Sequence, residues 1–383
     1  TVTRVVAGAA PPGPVAVELS GGLDSSTLCA TVPRAHPVHA VSFVYPGASS
    51  SDESDWIRAA LDANPVPWIA VDAIDNGHFT VGPQFPTFIA APTQGCFTWA
   101  MDLAESAAAE AAGATALLTD EGGDAVFLAG LLPWYLGDLL RTGRLRQLLA
   151  ETRRWSADAD PPRVQALWAR RAAVGAWRRW RRGERFELNP SRPLEQSAPW
   201  LRRDYLRAYS LERRVEKAGR LRAGSVHSQG VLNGILQAAE DVRAHYPLSA
   251  ARIEFRHPFL APPMVDLALA TPWQVGVDPR IDRAVQRYAF EGVVAETTLR
   301  RRSKQGPDEA IFRGLERNSD WPEFLVDGPA IVERGYVDGR AWARAVDLAI
   351  VGRVNSIRHF KTAVAVEVWL RQLGAAGSPQ LIR

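Results

Sequence analysis

The stretch VAVELSGGLDSSTLCA, residues 15–30, joins an apolar segment to a helix-like segment through a glycine pair, an aspartate and two serines. The glycines let the backbone approach a ligand closely and point successive N–H groups at it. Ser25 and Ser26 add hydroxyl groups where the helix begins, and a helix N-terminus favours anions. The pattern predicts a strand, a phosphate-binding turn and a helix; a plain turn with a serine cap is the alternative.

The aspartate in this turn indicates a metal ion. Asp24 would repel a phosphate group unless a cation lay between them, so the turn predicts Mg²⁺ bound to phosphate oxygens. The sequence contains no GxxxxGK[ST] motif, which excludes the Walker-type phosphate loop.

Short β-rich runs alternate with helix-like segments in the first third of the chain. The β-rich runs cover residues 15–19, 38–44, 66–72 and 114–120, and the helix-like segments cover about 24–32, 52–62 and 97–112. This alternation predicts a parallel sheet with helices on both faces and ligands beyond the C-terminal ends of the strands. The strand signal fades after residue 130. We expect an α/β nucleotide-binding core over about residues 12–130 and a large helical part over about 131–383.

The segment TDEGGDAVFLAG, residues 119–130, places three acids and two glycines within the five positions 120–124, at a second predicted strand end. We expect the strand that ends at Asp120 to lie beside the strand that ends at Leu19. Asp124 would then complete a Mg²⁺ site with Asp24, and Glu121 would be left for proton transfer. A turn with solvated acids is the alternative.

The segment RRSKQG, residues 301–306, carries one of only three lysines in a chain that uses arginine for nearly every other cation. The ammonium group of Lys304 is a compact charge that can also donate a proton. It would neutralise negative charge that develops over an α-phosphate in a transition state. An ordinary surface lysine is the alternative.

The composition is that of a globular protein. The chain has 383 residues, 46% hydrophobic and 23% charged, and no apolar run reaches the roughly 20 residues of a spanning helix. We therefore expect a cytoplasmic location and no membrane partner. Cys29 and Cys96 are too few for a disulfide framework, and the seven histidines are scattered, so we expect no transition-metal site.

The segment ARRAAVGAWRRWRRGER, residues 169–185, interleaves two tryptophans with seven arginines. Such a segment could follow a phosphate backbone with its indoles stacked on bases. The alternative is a solvated helix whose arginine stems cover apolar surface, and this is the arrangement we expect. Nucleic acid is accordingly not an expected partner.

Four segments together resemble one known family. SGGLDSS resembles the pyrophosphate-binding loop of the asparagine synthetase family, and LLTDEGGDAVF looks like its LSGEGADELF segment. RIEFRHPFLAPPMVDLALA resembles its EARVPFLD segment, and RRSKQG is similar to its RQKEQ segment or to RPKLG of β-lactam synthetase. The resemblance covers nearly the whole chain as one synthetase domain, residues 1–383. It implies a parallel-sheet core of the adenine nucleotide alpha hydrolase-like (PP-loop ATP pyrophosphatase) type, an AMP-forming carbon–nitrogen ligase activity, and ATP and Mg²⁺ as cofactors.

The resemblance also implies a role for each matching position. The residues implied to bind the pyrophosphate end of ATP are Ser20, Gly21, Gly22, Asp24, Ser25 and Ser26. The positions implied to line the nucleotide are Leu19, Phe43, Thr119 and Asp120. Mg²⁺ would be bound by Asp24 and Asp124. Glu121 occupies the position of an acid/base glutamate of asparagine synthetase that β-lactam synthetase replaces by tyrosine, and Lys304 matches the catalytic lysine of the family.

The chain departs from the family pattern at three points. The aspartate of FLD is Ala261, and the acid that usually follows GAD is Ala125. The chain begins with Thr1 and has no counterpart of the N-terminal glutamine-hydrolysing domain with its nucleophilic cysteine. We therefore expect no glutaminase domain in this chain and no glutamine-dependent asparagine synthesis.

The middle region resembles the lasso peptide macrocyclases of this family, on residues 197–214, 225–242 and 253–272. This resemblance implies that ATP adenylates an Asp or Glu side chain of a leader-free core peptide. The N-terminal amine of the peptide then displaces AMP and closes an isopeptide macrolactam. The implied partners are the core peptide, a leader peptidase and a leader-recognition protein.

Other functions stay open from the sequence. A β-lactam synthetase-like or other small-molecule AMP-forming amide synthetase has the same ATP motifs. Asparagine synthetase itself and a tRNA-modifying PP-loop enzyme are further alternatives. The non-enzyme alternative is a degenerate domain that binds nucleotide or a partner without turnover, and the loss of the FLD acid favours it.

Overall fold

A parallel sheet lies at the centre of the fold. The structure, a computed structural model, describes residues 1–32, 36–83, 91–129, 133–157, 162–183, 194–211, 221–245, 253–302 and 308–375. The strands within these ranges are β1 (Val15–Glu18), β2 (Val38–Val44), β3 (Trp68–Asp72), β4 (Ala116–Leu118) and β5 (Glu254–Arg256). They form one sheet in the order β3-β2-β1-β4-β5, and every neighbouring pair is parallel. The predicted α/β class and parallel sheet are confirmed.

The central strand β1 pairs with β2 on one side and with β4 on the other. Val17 lies opposite both Ala40 and Leu118, so β1 and β4 end side by side at the same edge of the sheet. This confirms the expected neighbourhood of the strands that lead to Leu19 and Asp120. In a parallel sheet, ligands bind where the strand order reverses, and here that point lies between β1 and β4.

The strand β5 comes from the part of the chain in which only helices are predicted from the sequence. Arg256 lies opposite Leu118, and the Thr119 N–H donates to the Arg256 carbonyl at 2.9 Å. β5 has three residues, and its exposed Glu254 forms an ion pair with Arg256 at 2.7 Å. A strand this short and polar gives neither an apolar run nor a clear alternation, so the sequence pattern does not predict it. Its pairing brings RHPFL beside the TDEGG turn.

Helices cover both faces of the sheet. In the first third of the chain they are α1 (Val2–Ala9), α2 (Leu23–Thr31), α3 (Ser54–Ala63), α4 (Gly95–Ala111) and α5 (Gly123–Val126). Val15 and Val17 pack with α1, α2 and α3 on one face, whereas Ala16 packs with α4 on the other. The three predicted helices appear as α2, α3 and α4, with ends within two residues of the expected positions.

The rest of the described chain is mostly helical. Its helices are α6 (Tyr135–Arg141), α7 (Leu145–Ser156), α8 (Pro162–Arg182), α9 (Leu194–Ser197), α10 (Arg203–Ala208), α11 (Val226–His245), α12 (Pro262–Ala270), α13 (Trp273–Gly276), α14 (Ala284–Ala289), α15 (Glu296–Arg300), α16 (Asp308–Arg317), α17 (Asp320–Val326), α18 (Ala330–Glu333), α19 (Gly339–Ile350) and α20 (Ile357–Ala375). A 3₁₀ turn covers Pro258–Leu260. None of the described helices is long and apolar enough to cross a membrane.

A second core joins the C-terminal helices to the α/β part. Trp321 packs edge-on against Phe79 with ring centres 5.0 Å apart, and Trp342 stacks on Phe360 at 5.5 Å. All four side chains are fully buried. Because aromatic side chains bury large apolar areas, this cluster fixes the C-terminal helices against the segment that follows β3.

Candidate active site

The turn after β1 requires glycine at position 21. Gly21 has φ of 71°, in the left-handed region, and a Cβ at this position would lie 2.5 Å from the backbone carbon of Trp56 in α3. Gly22 caps α2, whose first turn contains Asp24. The N-terminus of α2 therefore lies directly beyond β1, beside the point where the strand order reverses.

The three serines of the turn differ in their hydrogen bonds. The Ser20 N–H donates to Ser25 Oγ at 3.1 Å, and Ser25 Oγ donates to the Gly22 carbonyl at 3.3 Å, so Ser25 holds the turn itself. Ser26 Oγ is buried and has no hydrogen-bond partner among the described residues. A buried hydroxyl without a partner is costly, and a bound phosphate oxygen would satisfy it.

The two acids predicted to share Mg²⁺ are brought together. Asp24 Oδ2 lies 2.5 Å from Nη1 of Arg283, and Asp124 Oδ1 lies 2.9 Å from the same nitrogen. Asp24 is buried, whereas the Asp124 side chain is 70% exposed. Burial raises the pKa of Asp24 to about 7, and Asp124 and Asp120 add to this shift while Arg283 opposes it. The two carboxylates thus share one cation, the guanidinium of Arg283, and Mg²⁺ would have to bind beside this group or displace it.

These residues fit Mg²⁺ together with a polyphosphate. Within the described ranges no group of three or more His, Cys, Asp or Glu side chains could hold a metal ion. Mg²⁺ does not need such a group, because it is commonly bound by one or two carboxylates and completes its shell with water and phosphate oxygens. Asp24 and Asp124 would supply the carboxylates, and the serine turn would face the phosphates.

Two residues at this site are not predicted from the sequence. Arg283 has φ of 55° and ψ of 45°, a left-handed conformation that is uncommon for a non-glycine residue, and it directly precedes α14. Gln286 is fully buried in α14, and its Nε2 donates to Asp24 Oδ1 at 2.9 Å. Both lie about 260 residues from Asp24 in a segment without a motif, so only the tertiary fold places them there.

The turn after β4 packs directly on Asp24. A Cβ on Gly123 would lie 2.5 Å from Asp24 Cγ and 2.8 Å from Asp24 Oδ1. Gly122 has φ of 88°, and a Cβ there would meet the side chain of Leu260 from the RHPFL segment. Both glycines are therefore required for SGGLDSS, TDEGGD and RHPFL to meet.

Replacing Gly123 by alanine is expected to separate the two acid-bearing turns. Overpacking of this kind costs about 1–3 kcal/mol of stability, and a displacement of about 1 Å costs about 100-fold in rate. Thermal unfolding and ATP-dependent pyrophosphate release measure the two effects. Gly175→Ala in α8 is the matched control, because nothing lies within 4 Å of its Cβ position and alanine favours a helix. Equal behaviour of the two variants would contradict the packing role of Gly123.

A histidine fixes the start of the second turn. Thr119 Oγ1 lies 2.6 Å from Nδ1 of His257, and the Glu121 N–H donates to Thr119 Oγ1 at 3.4 Å. Burial lowers the pKa of His257 to about 4, so the ring is neutral near pH 7. His257 stands where the EARVPFLD segment of the family has valine, and it links the end of β5 to the turn that carries Glu121.

Glu121 lies at the edge of a group of buried carboxyls. Burial raises the pKa of Glu18 on β1, and the negative charges of Glu105, Asp120 and Glu121 raise it further. Burial likewise raises the pKa values of Asp102 and Glu105, both on α4, to about 8. Glu121 therefore lies close to carboxyl groups that hold their protons to higher pH than usual.

The buried carboxyls are expected to make folding stability depend on pH. The pKa of Glu105 rises from 4.5 to about 8 in the folded state, so the folded protein binds more protons than the unfolded chain between these values. Stability should then fall as pH rises through this window. Glu105→Gln should flatten the decline of Tm with pH, whereas Glu110→Gln, exposed on the same helix, should not. If Tm declined with pH as steeply in Glu105→Gln as in the parent, Glu105 would not be the source of this pH dependence.

Leu19 and Phe43, which are predicted to line a nucleotide, lie at the C-terminal edge of the sheet. The Leu19 side chain is buried, and its carbonyl accepts a hydrogen bond from Ser42 Oγ at 2.5 Å. Phe43 is half-buried near the end of β2, opposite Val71. Both positions flank the predicted phosphate turn, and their contact with a nucleotide stays a prediction.

The start of the RRSKQG segment is anchored on the first turn. Arg301 is buried, forms an ion pair with Glu53 and lies over the Trp56 ring at 4.5 Å. Its Nη1 also lies 3.5 Å from the Gly21 carbonyl, and Arg287 donates to the Arg301 carbonyl at 2.9 Å. The predicted catalytic Lys304 lies outside the described residues.

The family model described as asparagine synthase matches residues 11–371, which is most of the chain. No curated protein matches the sequence.

Proposed function

Because the chain belongs to the asparagine synthase family, whose members are ATP-dependent amide-forming ligases, we propose that it closes a macrolactam in a peptide. The substrates would be ATP and a peptide with an Asp or Glu side chain, and the products would be an isopeptide-linked ring, AMP and pyrophosphate. The observation that carries this proposal is the contact of Gly123 with Asp24. It joins the phosphate turn and the second acidic turn into one site.

The proposed chemistry has two balanced steps. A side-chain carboxylate oxygen of the peptide attacks the α-phosphorus of ATP, and the bond to pyrophosphate breaks. The N-terminal amine then attacks the activated acyl carbon, AMP leaves with the bonding electron pair, and the nitrogen loses one proton. Mg²⁺, when bound, would supply electrostatic stabilisation of the leaving pyrophosphate.

The protein residues would bind, orient and move protons in these steps. Ser26 Oγ, together with the N-terminus of α2, would bind the pyrophosphate. Asp24 and Asp124 would hold the metal ion, and Lys304 would neutralise charge at the α-phosphate. Glu121 would accept the proton of the attacking amine. It lies next to the buried carboxyl side chains around Glu18, and it belongs to the turn that packs against Asp24.

The positions of the macrocyclase-like segments support a peptide as substrate. Residues 225–242 form most of α11, which packs against α5, the short helix that carries Asp124. Residues 253–272 contain β5 and α12, and α12 also packs against α5. Two of the three segments that resemble macrocyclases therefore lie beside the acidic turn, where an acyl acceptor would have to be oriented. The third begins in the C-terminal core, where Leu201 pairs with Val337.

Mass spectrometry of candidate core peptides tests the proposal. The protein is incubated with ATP, Mg²⁺ and peptides that carry one internal Asp or Glu, and we expect the peptide to lose one water while AMP accumulates. An N-acetylated version of the same peptide is the matched control, since it has no free amine and should not cyclise. Formation of ADP instead of AMP would contradict the proposed reaction.

A further inference from the structure

The helices α7 and α8, with the end of α6, present a strongly basic face to solvent. Residues 133–157 and 162–183 contain twelve arginines, and all of them are exposed. The same ranges contain two acids, Asp138 and Glu151. Residues 158–161, between α7 and α8, add Asp158 and Asp160 and lie outside the described residues. The whole chain carries only +3, so the positive charge is concentrated here.

The two described acids of this face are used within the fold. Asp138 accepts hydrogen bonds from the N–H groups of Val226 and His227 at 2.8 and 2.9 Å, which caps the start of α11. Glu151 is buried and accepts from the Tyr135 hydroxyl at 2.8 Å. Asp138 and Glu151 also form ion pairs with Arg141 and Arg154 at 3.4 and 3.2 Å, so these carboxylates stabilise the bundle and offset two of the twelve positive charges.

Apolar side chains lie among the arginines. Leu167 on α8 is 49% exposed, one helical turn after Arg163 and one turn before Arg170. On α7, Leu145 and Leu149 are 56% and 47% exposed at a spacing of four residues. A helix rises about 1.5 Å per residue, so this mixed surface extends along α8 for about 25 Å. Exposed apolar side chains mark an interaction surface where they lie close together within a polar rim.

The tryptophans of α8 are not presented for base stacking. Trp180 Nε1 donates to the Ala223 carbonyl at 3.1 Å, and the Arg141 guanidinium lies 5.2 Å from the centre of the same ring system. Arg181 covers Trp177 at 5.6 Å. Single-stranded nucleic acids bind through aromatic rings that are open to bases, together with backbone charge. Here the rings are covered by arginines of the same protein, which favours a polypeptide over RNA.

We propose that this basic face, formed by α7, α8 and the end of α6, is the docking site of an acidic helical polypeptide with leucine-like residues spaced four positions apart. Its carboxylates would pair with the arginines, and its apolar side chains would cover Leu145, Leu149 and Leu167. Charge complementarity of this kind raises the association rate and selects the partner. The face connects to the candidate site through α11, which Asp138 caps at one end and which packs against α5. The proposal does not depend on which amide the enzyme forms.

Fluorescence anisotropy with the full chain tests this proposal. The probe is a labelled helical peptide of about 20 residues with leucines at i and i+4 among glutamates. The comparison probes are the same peptide with glutamine for leucine and a single-stranded RNA of equal length. We expect the leucine peptide to bind at least about tenfold more tightly than either comparison probe at physiological salt.

Matched variants locate the binding. The triple variant Arg163→Gln, Arg170→Gln, Arg178→Gln should weaken binding of the leucine peptide about tenfold and leave AMP formation unchanged. The control triple variant Arg340→Gln, Arg344→Gln, Arg353→Gln removes three exposed arginines elsewhere and should bind as the parent does. Tighter binding of RNA, equal losses in both variants, or absence of peptide binding would overturn the proposal. Loss of a dimer in the first variant, seen by light scattering, would assign the face to a second copy instead.

Discussion

Replacement of Asp24 by asparagine is expected to lower ATP-dependent pyrophosphate release by about 10³-fold. Asparagine keeps the size of the side chain and can still accept the hydrogen bond from Gln286. It removes the buried charge that faces Arg283 and that Mg²⁺ would require. The measurement is the initial rate of pyrophosphate release with Mg²⁺ and peptide, together with the Mg²⁺ concentration at half-maximal rate.

Loss of activity in this variant should not come from unfolding. The pKa of about 7 indicates that the folded protein holds the Asp24 charge at a cost, and Arg283 keeps Asp124 and Asp282 as partners in the variant. Thermal stability should therefore change little. Asp55→Asn is the control, because its side chain is 95% exposed on α3, and it should retain full activity. Parental activity in Asp24→Asn would show that the assigned turn does not bind the metal.

Replacement of Lys304 by alanine is expected to lower the same rate by about 10²- to 10³-fold. An ammonium group that neutralises developing charge acts in the transition state, so kcat should fall while the KM for ATP changes little. Lys304→Arg keeps the charge but alters its shape, and it should recover only part of the rate.

A neighbouring residue provides the control for Lys304. Arg300→Ala removes a cation of the same region whose side chain is 79% exposed and which forms an ion pair with exposed Glu296. It should leave both kcat and KM unchanged. If Lys304→Ala and Arg300→Ala behaved alike, Lys304 would be an ordinary surface lysine.

The sheet and its first helices are predicted from the sequence because their signals are local. Val15 and Val17 belong to an apolar run, and the glycines and Ser25 that follow mark a turn and a helix start. That β1 and β4 lie side by side is predicted because each leads into a turn that carries acids, SGGLDSS and TDEGGD. β5 has no such signal, because Glu254 and Arg256 make it polar and the pairing with β4 is needed to form it at all.

The ion pairs at the site are not predicted from the sequence pattern. Arg283 adopts a left-handed conformation before α14, and its contact with Asp24 spans 259 residues. Arg301 belongs to a predicted segment, yet its ion pair with Glu53 depends on how α3 lies against the first turn. Spacing along the chain carries no information on such contacts, because they arise only when distant elements pack.

Transfer of an oxygen isotope tests the central claim, adenylation of a carboxylate, most directly. A core peptide with ¹⁸O in its Asp or Glu side-chain carboxylate is incubated with the protein, ATP and Mg²⁺, and the phosphate products are analysed by mass spectrometry. Attack of the carboxylate on the α-phosphorus predicts one ¹⁸O atom in AMP and none in pyrophosphate. Appearance of ¹⁸O in inorganic phosphate together with ADP would contradict the account.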